Sequence, residues 1–125
     1  IVEKFRIDTP SVHHIVKKLS GGNIQKVLLG REIDMNPQLI ITAYPVRGLD
    51  IGASYNIYDI LNQQKQKGVG ILFIGEDLDV LLGLCDRLMV IHDGTLMGIV
   101  DPKEVTKEDV GLLMLGHPME EVKAC

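Results

Sequence analysis

The stretch Leu19-Ser20-Gly21-Gly22-Asn23-Ile24-Gln25-Lys26 leads into the first clear helical segment of the chain, and it sets two glycines at the helix start. Two physical readings compete for them. The first-turn amides of a helix have no intrahelical partner, and the helix dipole favours negative charge there. Glycines then let an anion come close to the backbone, and a serine hydroxyl adds a donor. The alternative is that Ser20 is only an N-cap and the glycines only permit a tight turn into the helix. The pentapeptide Leu19–Asn23 favours neither.

Working outward, the helix that opens near Ser20 carries Val27 and Leu28 and runs to about Met35. Pro37 ends it, because the residue before a proline is pushed out of the α region. On the other side, Ile1–Ile7 reads as the end of a helix or an irregular lead-in, and Asp8-Thr9-Pro10-Ser11 is turn chemistry. Leu39–Ala43 is a short apolar run suited to a buried parallel strand. Ala53, Ile57, Ile60 and Leu61 recur at helical spacing, so an amphipathic helix is expected from Gly52 to Lys67, closed by Gly68. Val69–Ile74 is a second buried strand, and Leu78–Leu84 a short helix. Leu88–His92, Asp93-Gly94 and Thr95–Val100 read as strand, tight turn and strand. Thr106 can cap a last helix on which Val110, Leu113 and Met114 share a face, ending at Gly116. Strands alternating with helices predict a single α/β domain, residues 1–125, with a mostly parallel sheet.

Composition narrows the function. The chain has 125 residues, 46% of them hydrophobic but only 4% aromatic, so its core is aliphatic. A net charge of −4, with Lys17-Lys18 as a lone basic spot, argues against a nucleic-acid surface. Cys85 and Cys125 fit no metal spacing and no disulfide framework, which suggests a reducing, cytoplasmic setting. No run approaches the roughly 18 apolar residues of a bilayer span. His13-His14 read as loop residues, His92 as a turn neighbour without chemistry, the methionines as core filler and Glu120-Glu121 as a solvated tail.

Four stretches in fixed order make the family resemblance specific. Leu19–Lys26 resembles the signature motif of ATP-binding-cassette (ABC) transporter ATPases. Leu39–Asp50 is similar to their Walker B strand and D-loop. Glu76-Asp77-Leu78 stands where their switch histidine and its following aspartate stand, and Asp86–Gly94 resembles the strand pair that follows. The resemblance covers nearly the whole chain and implies a three-layer P-loop NTPase fold. Asn23 for the commoner Gln, the phrase Arg47–Ala53 and the tail Val110–Met114 are similar to the second cassette of tandem-cassette importers of simple sugars or nucleosides. The tail and Thr9-Pro10-Ser11 lean towards the nucleoside branch, whose substrate a lipoprotein delivers. Ile24 departs from the Gln usual there.

The chemistry of such an ATPase needs a Walker A loop, whose amides and lysine hold the phosphates. No Gly-Lys pair occurs in the sequence. The family sets that loop upstream of the signature, so the chain reads as the C-terminal part of a cassette without its Walker A strand. That strand would lie between Val69–Ile74 and Leu88–His92, and its loss exposes strand edges open to swapping or dimerisation. The family also needs a carboxylate for Mg²⁺ and then a Glu to orient water. Those positions hold Ala43 and Tyr44. Alanine offers no oxygen to a hard cation, and a phenol is a poor base at neutral pH. The switch position is Glu76, whose charge would repel phosphate. A solvated carboxylate is the preferred reading of Glu76, with a substitute base as the lesser one. No catalytic or metal position is intact, and the piece alone is expected to bind no cofactor and hydrolyse no ATP.

By the same resemblance two cassettes meet head to tail. Ser20, Gly21, Gly22 and Asn23 would then act on ATP held with Mg by the partner, and Asp50 would face across the interface or cap the next helix. The partners implied are the N-terminal cassette of the same polypeptide or another cassette, transmembrane permease subunits and, indirectly, a substrate-binding lipoprotein. The location implied is the inner face of the cell membrane. A dimerising or regulatory module indifferent to nucleotide is the alternative.

Overall fold

The computed structural model describes residues 21–124. Asp8–Ser11, His13-His14, Ser20 and Cys125 lie outside the described residues. The elements are α1 (Gly21–Asp34), β1 (Leu39–Ala43), α2 (Ile51–Gln66), β2 (Gly70–Ile74), α3 (Leu78–Leu84), β3 (Leu88–His92), β4 (Thr95–Val100), α4 (Lys107–Met114) and α5 (Met119–Ala124). They fall into two compact units, the first ending at Gly75 and the second beginning at Glu76.

In the first unit β1 and β2 pair in parallel, from Leu39 opposite Gly70 to Ala43 opposite Ile74, with α2 as the crossover between them. Ile33 of α1, Ile40 of β1 and Ile57, Ile60 and Leu61 of α2 form a buried core, flanked by Val27, Leu29, Ile71 and Phe73. Ile57 is 1% exposed, so its burial contributes about 1.5–3 kcal/mol. The helix ends follow from local chemistry. After α2, Gly68 takes φ 90° and its N–H donates to Lys65 O, while Val69 N–H donates to Gln64 O. This pair of hydrogen bonds is the Schellman closure. After α1, Asn36 takes the left-handed position at φ 52° and donates to Ile33 O. Pro37 follows and has no N–H for the second bond.

The apolar strands were expected to be buried. Here only one face is covered: Ile40, Ile71 and Phe73 point to the core, while Leu39, Ile41, Leu72 and Ile74 are exposed, Ile41 to 64%. Strand side chains alternate, so two facing helices on one side leave the other residues of each strand outward.

In the second unit β3 and β4 form an antiparallel hairpin with an irregularity at Val90/Ile91. Asp93 and Gly94 both have positive φ, 48° and 74°, as a two-residue turn matched to strand twist requires. Helix α4 packs against β3, β4, α3 and α5, and Val110 and Leu113 are buried. Thr106 and Asp109 form a reciprocal capping box at its start. Gly116 closes its end at φ 92°, with Gly116 N–H on Leu113 O and His117 N–H on Leu112 O.

The sheet therefore differs in detail from a mostly parallel one: β1-β2 is parallel, β3-β4 is antiparallel, and they are separate two-stranded sheets. Three further expectations need correction. Met114 is exposed rather than buried, although it stands i+4 from the buried Val110, because helical spacing sets a face and not what packs against each residue of it. Met35 and Met89 are exposed too, so methionine is not uniformly core filler. Glu120 and Glu121 are solvated as expected, but they belong to helix α5 rather than to a tail, and Glu121 Oε2 lies 3.2 Å from His117 Nδ1. Acidic residues suit a first helical turn.

Candidate functional site

The site residues of the first unit gather where α1 and α2 begin side by side. Gly21 and Gly22 form the first turn of α1, and no acidic residue occurs in that turn. Their glycines have a packing cause. A Cβ on Gly22 would stand 2.9 Å from the Ala53 Cβ, and one on Gly21 would stand 3.2 Å from Leu49 Cδ2. Neither reading from the pentapeptide included this contact. Asn23 is half-buried and makes an interaction of its own.

Asp50 is the N-cap of α2. Its Oδ1 accepts the Ala53 N–H at 2.8 Å, and its carbonyl accepts the Ser54 hydroxyl at 2.9 Å. The capping role expected of Asp50 is thus present, and its side chain is exposed. The turn from Tyr44 to Asp50 is held to the sheet by Tyr44 N–H donating to Ile74 O. Tyr44 has φ 50°, an uncommon value for an aromatic residue. The Arg47 guanidinium carbon lies 4.0 Å above its ring, a cation–π geometry. Ala43 ends β1 opposite Ile74 and presents no donor atom from its side chain.

A side-chain hydrogen bond also joins this turn to α1. Gln25 Nε2 donates to Pro45 O at 2.9 Å, across 20 positions of sequence. Gln25 lies one helical turn beyond Gly21, so the signature spacing itself put it on the α2 side. Its acceptor was not legible, because it depends on how the turn folds back.

Glu76 belongs to the second unit. It is exposed and makes an interaction of its own, and the adjacent Asp77 caps α3 by accepting from Asp79 N and Val80 N. His92 has a structural contact missed in the sequence: its Nδ1 lies 2.9 Å from Met114 O, and its ring sits against Gly116. No group of three or more His, Cys, Asp or Glu residues among the described residues could hold a metal ion. No described helix is long and apolar enough to cross a membrane.

Comparison with solved structures places this architecture. The chain superposes on the ATP-binding cassette MJ1267 in its ADP conformation with a TM-score of 0.64 and 26% identity, over 86% of this chain and 41% of that one. An ATP-binding subunit of an ABC transporter gives a TM-score of 0.72 at 25% identity, over 98% and 50%. The fold is that of part of an ABC ATPase cassette. Curated relatives agree in kind. The nucleoside import ATP-binding protein NupA of Lactococcus lactis subsp. cremoris (strain MG1363) is 42% identical over 121 residues, which is 97% of this chain and 24% of that protein. The guanosine import ATP-binding protein NupO of Bacillus subtilis (strain 168) is 39% identical over the same length. The L-arabinose transport ATP-binding protein AraG of Geobacillus stearothermophilus is 43% identical over 119 residues, 95% of this chain and 23% of that protein. The chain thus spans about a quarter of the length of the curated relatives it matches. No protein-family model matches it.

Proposed function

We propose that the chain is the C-terminal part of the second cassette of a tandem importer ATPase for simple sugars or nucleosides, with the nucleoside branch favoured. It serves ATP in trans. The observation that carries this is the convergence of two helix starts: Gly21 and Gly22 of α1 lie directly against Leu49 and Ala53, beside the exposed Asp50. The names of relatives that import nucleosides and guanosine support the branch.

In this reading Ser20 and the amides of Gly21, Gly22 and Asn23 face the phosphates of ATP held by the N-terminal cassette or another cassette. Asp50 stands beside them. The residues fit an anion, since the α1 first turn carries no acid and its amides are at a helix start. They do not fit Mg²⁺ at the cassette's own site, where Ala43 and Tyr44 give no carboxylate. Glu76, a carboxylate in place of the switch histidine, would repel phosphate rather than steady it, which fits a cassette without efficient turnover of its own. Attachment to permease subunits at the inner face of the membrane, and a lipoprotein that delivers substrate, complete the assembly.

The test is Ser20→Arg in the full-length tandem protein. A large cation at the signature should lower ATPase activity at least about tenfold, as losses at phosphate-stabilising groups commonly do. Undiminished activity overturns the reading.

The exposed apolar residues Leu39, Ile41, Leu72 and Ile74 favour a second reading, a module that associates without sensing nucleotide. Association with the N-terminal cassette measured with and without ATP separates the two. Dependence on ATP supports the first, and indifference to it the second.

A further inference from the structure

We propose that Gln25 is a positioning residue, which fastens the signature segment to the 44–50 turn so that Gly21–Asn23 and Asp50 meet a partner's nucleotide as one surface. The proposal rests on the trans reading above and adds a residue to it. Gln25 itself touches no nucleotide.

The need for such a fastening follows from the contacts at the start of α1. Glycines have no side chains to interlock, and their neighbours Leu49 and Ala53 offer only apolar contact. Apolar contact is non-directional, so it resists separation of the helices but not rotation or sliding. A hydrogen bond has a preferred line and length. The Gln25–Pro45 bond supplies that direction one turn along the same face. Its acceptor is well chosen. Within the turn Arg47 N–H donates to Tyr44 O and Leu49 N–H to Val46 O, while the Pro45 carbonyl receives Gln25. Pro45 is buried, so its carbonyl has little recourse to water.

From Pro45 the order passes on through short links. Leu49 N–H is held by Val46 O, and Asp50 is held by its own cap to Ala53 and by the Ser54 hydroxyl. Ala53 is the residue against which Gly22 packs. The loop of contacts closes on the signature. Removing Gln25 opens it at a directional bond between α1 and the turn.

The experiment uses the full-length tandem protein with Gln25→Leu, which keeps similar volume without a donor, and Gln25→Lys, which keeps a donor. Gln25→Leu should lower the ATPase kcat about fivefold, the scale set by one lost hydrogen bond, with KM for ATP changed less than about twofold. Amide hydrogen exchange across 46–53 should quicken in the same variant, while Gln25→Lys restores both readouts. A wild-type kcat in Gln25→Leu, with Ser20→Arg inactive, overturns the proposal and leaves the trans reading standing. A fall in kcat matched by a fall in melting temperature and not rescued by lysine also overturns it, since that is a merely structural role. Full activity in Ser20→Arg removes the reading beneath the proposal and the proposal with it.

Discussion

Helices α1 and α4 begin in opposite ways. The start of α4 is self-sufficient: Thr106 accepts the Asp109 N–H, Asp109 returns the bond to Thr106 N–H, and Glu108 adds a second acid in the first turn. Side chains within four residues of one another satisfy its amides and compensate its dipole. The start of α1 has glycines where α4 has acids, and what fits against them comes from Leu49 and Ala53, far along the chain. A helix built only for stability can carry its own cap. In α1 the first turn holds no acid, and part of what fits against it comes from residues far along the chain.

This contrast can be broken most sharply at Gly22. An added methyl there meets the Ala53 Cβ, which is fixed to backbone, so α1 and α2 must move apart. Gly22→Ala should destabilise the first unit by about 1–3 kcal/mol, the usual cost of overpacking, which outweighs the gain of about 0.5–1 kcal/mol in helix propensity. Urea denaturation of the single variant, and of the pair with Ala53→Gly, checks it. The second change should recover much of the loss.

At α4 the cap itself is the point of attack. Thr106→Ala should cost about 1 kcal/mol, read as a lower denaturation midpoint, because it removes half of the capping box. The smallest effect is expected at Gly111 of α4, where an added Cβ meets nothing within 4 Å. Gly111→Ala should stabilise by about 0.5–1 kcal/mol and raise the midpoint. Opposite signs at two helical glycines would sharpen the distinction between a packed helix face and an open one. Equal signs would erase it.

Much of the local structure was legible before any coordinates. Pro37 after α1, Gly68 after α2, Thr106 before α4 and Asp93-Gly94 between β3 and β4 act through their own φ values and nearby hydrogen bonds, and the elements end where those residues put them. Less legible was which apolar residue is covered. Met114 follows the hydrophobic pattern yet lies outside the core, and Ile41 sits in a five-residue apolar run yet is exposed. Periodicity names a face but not the neighbour opposite it. Ala43, Tyr44 and Glu76 could be marked by residue type alone as differing from the family pattern they resemble, while the cation–π stack of Arg47 on Tyr44 could not.

The glycines on which the reading began mark the division. By itself the sequence determined that a helix opens near Ser20 with two glycines and no acid at its start, because that depends on residues within one turn of each other. Only the tertiary structure decided what that start accommodates: Leu49, Ala53 and, through Gln25, the Pro45 carbonyl. Those partners lie 20 or more positions away, and their approach is set by how α2 packs beside α1. Chain-local rules carry no information about that distance.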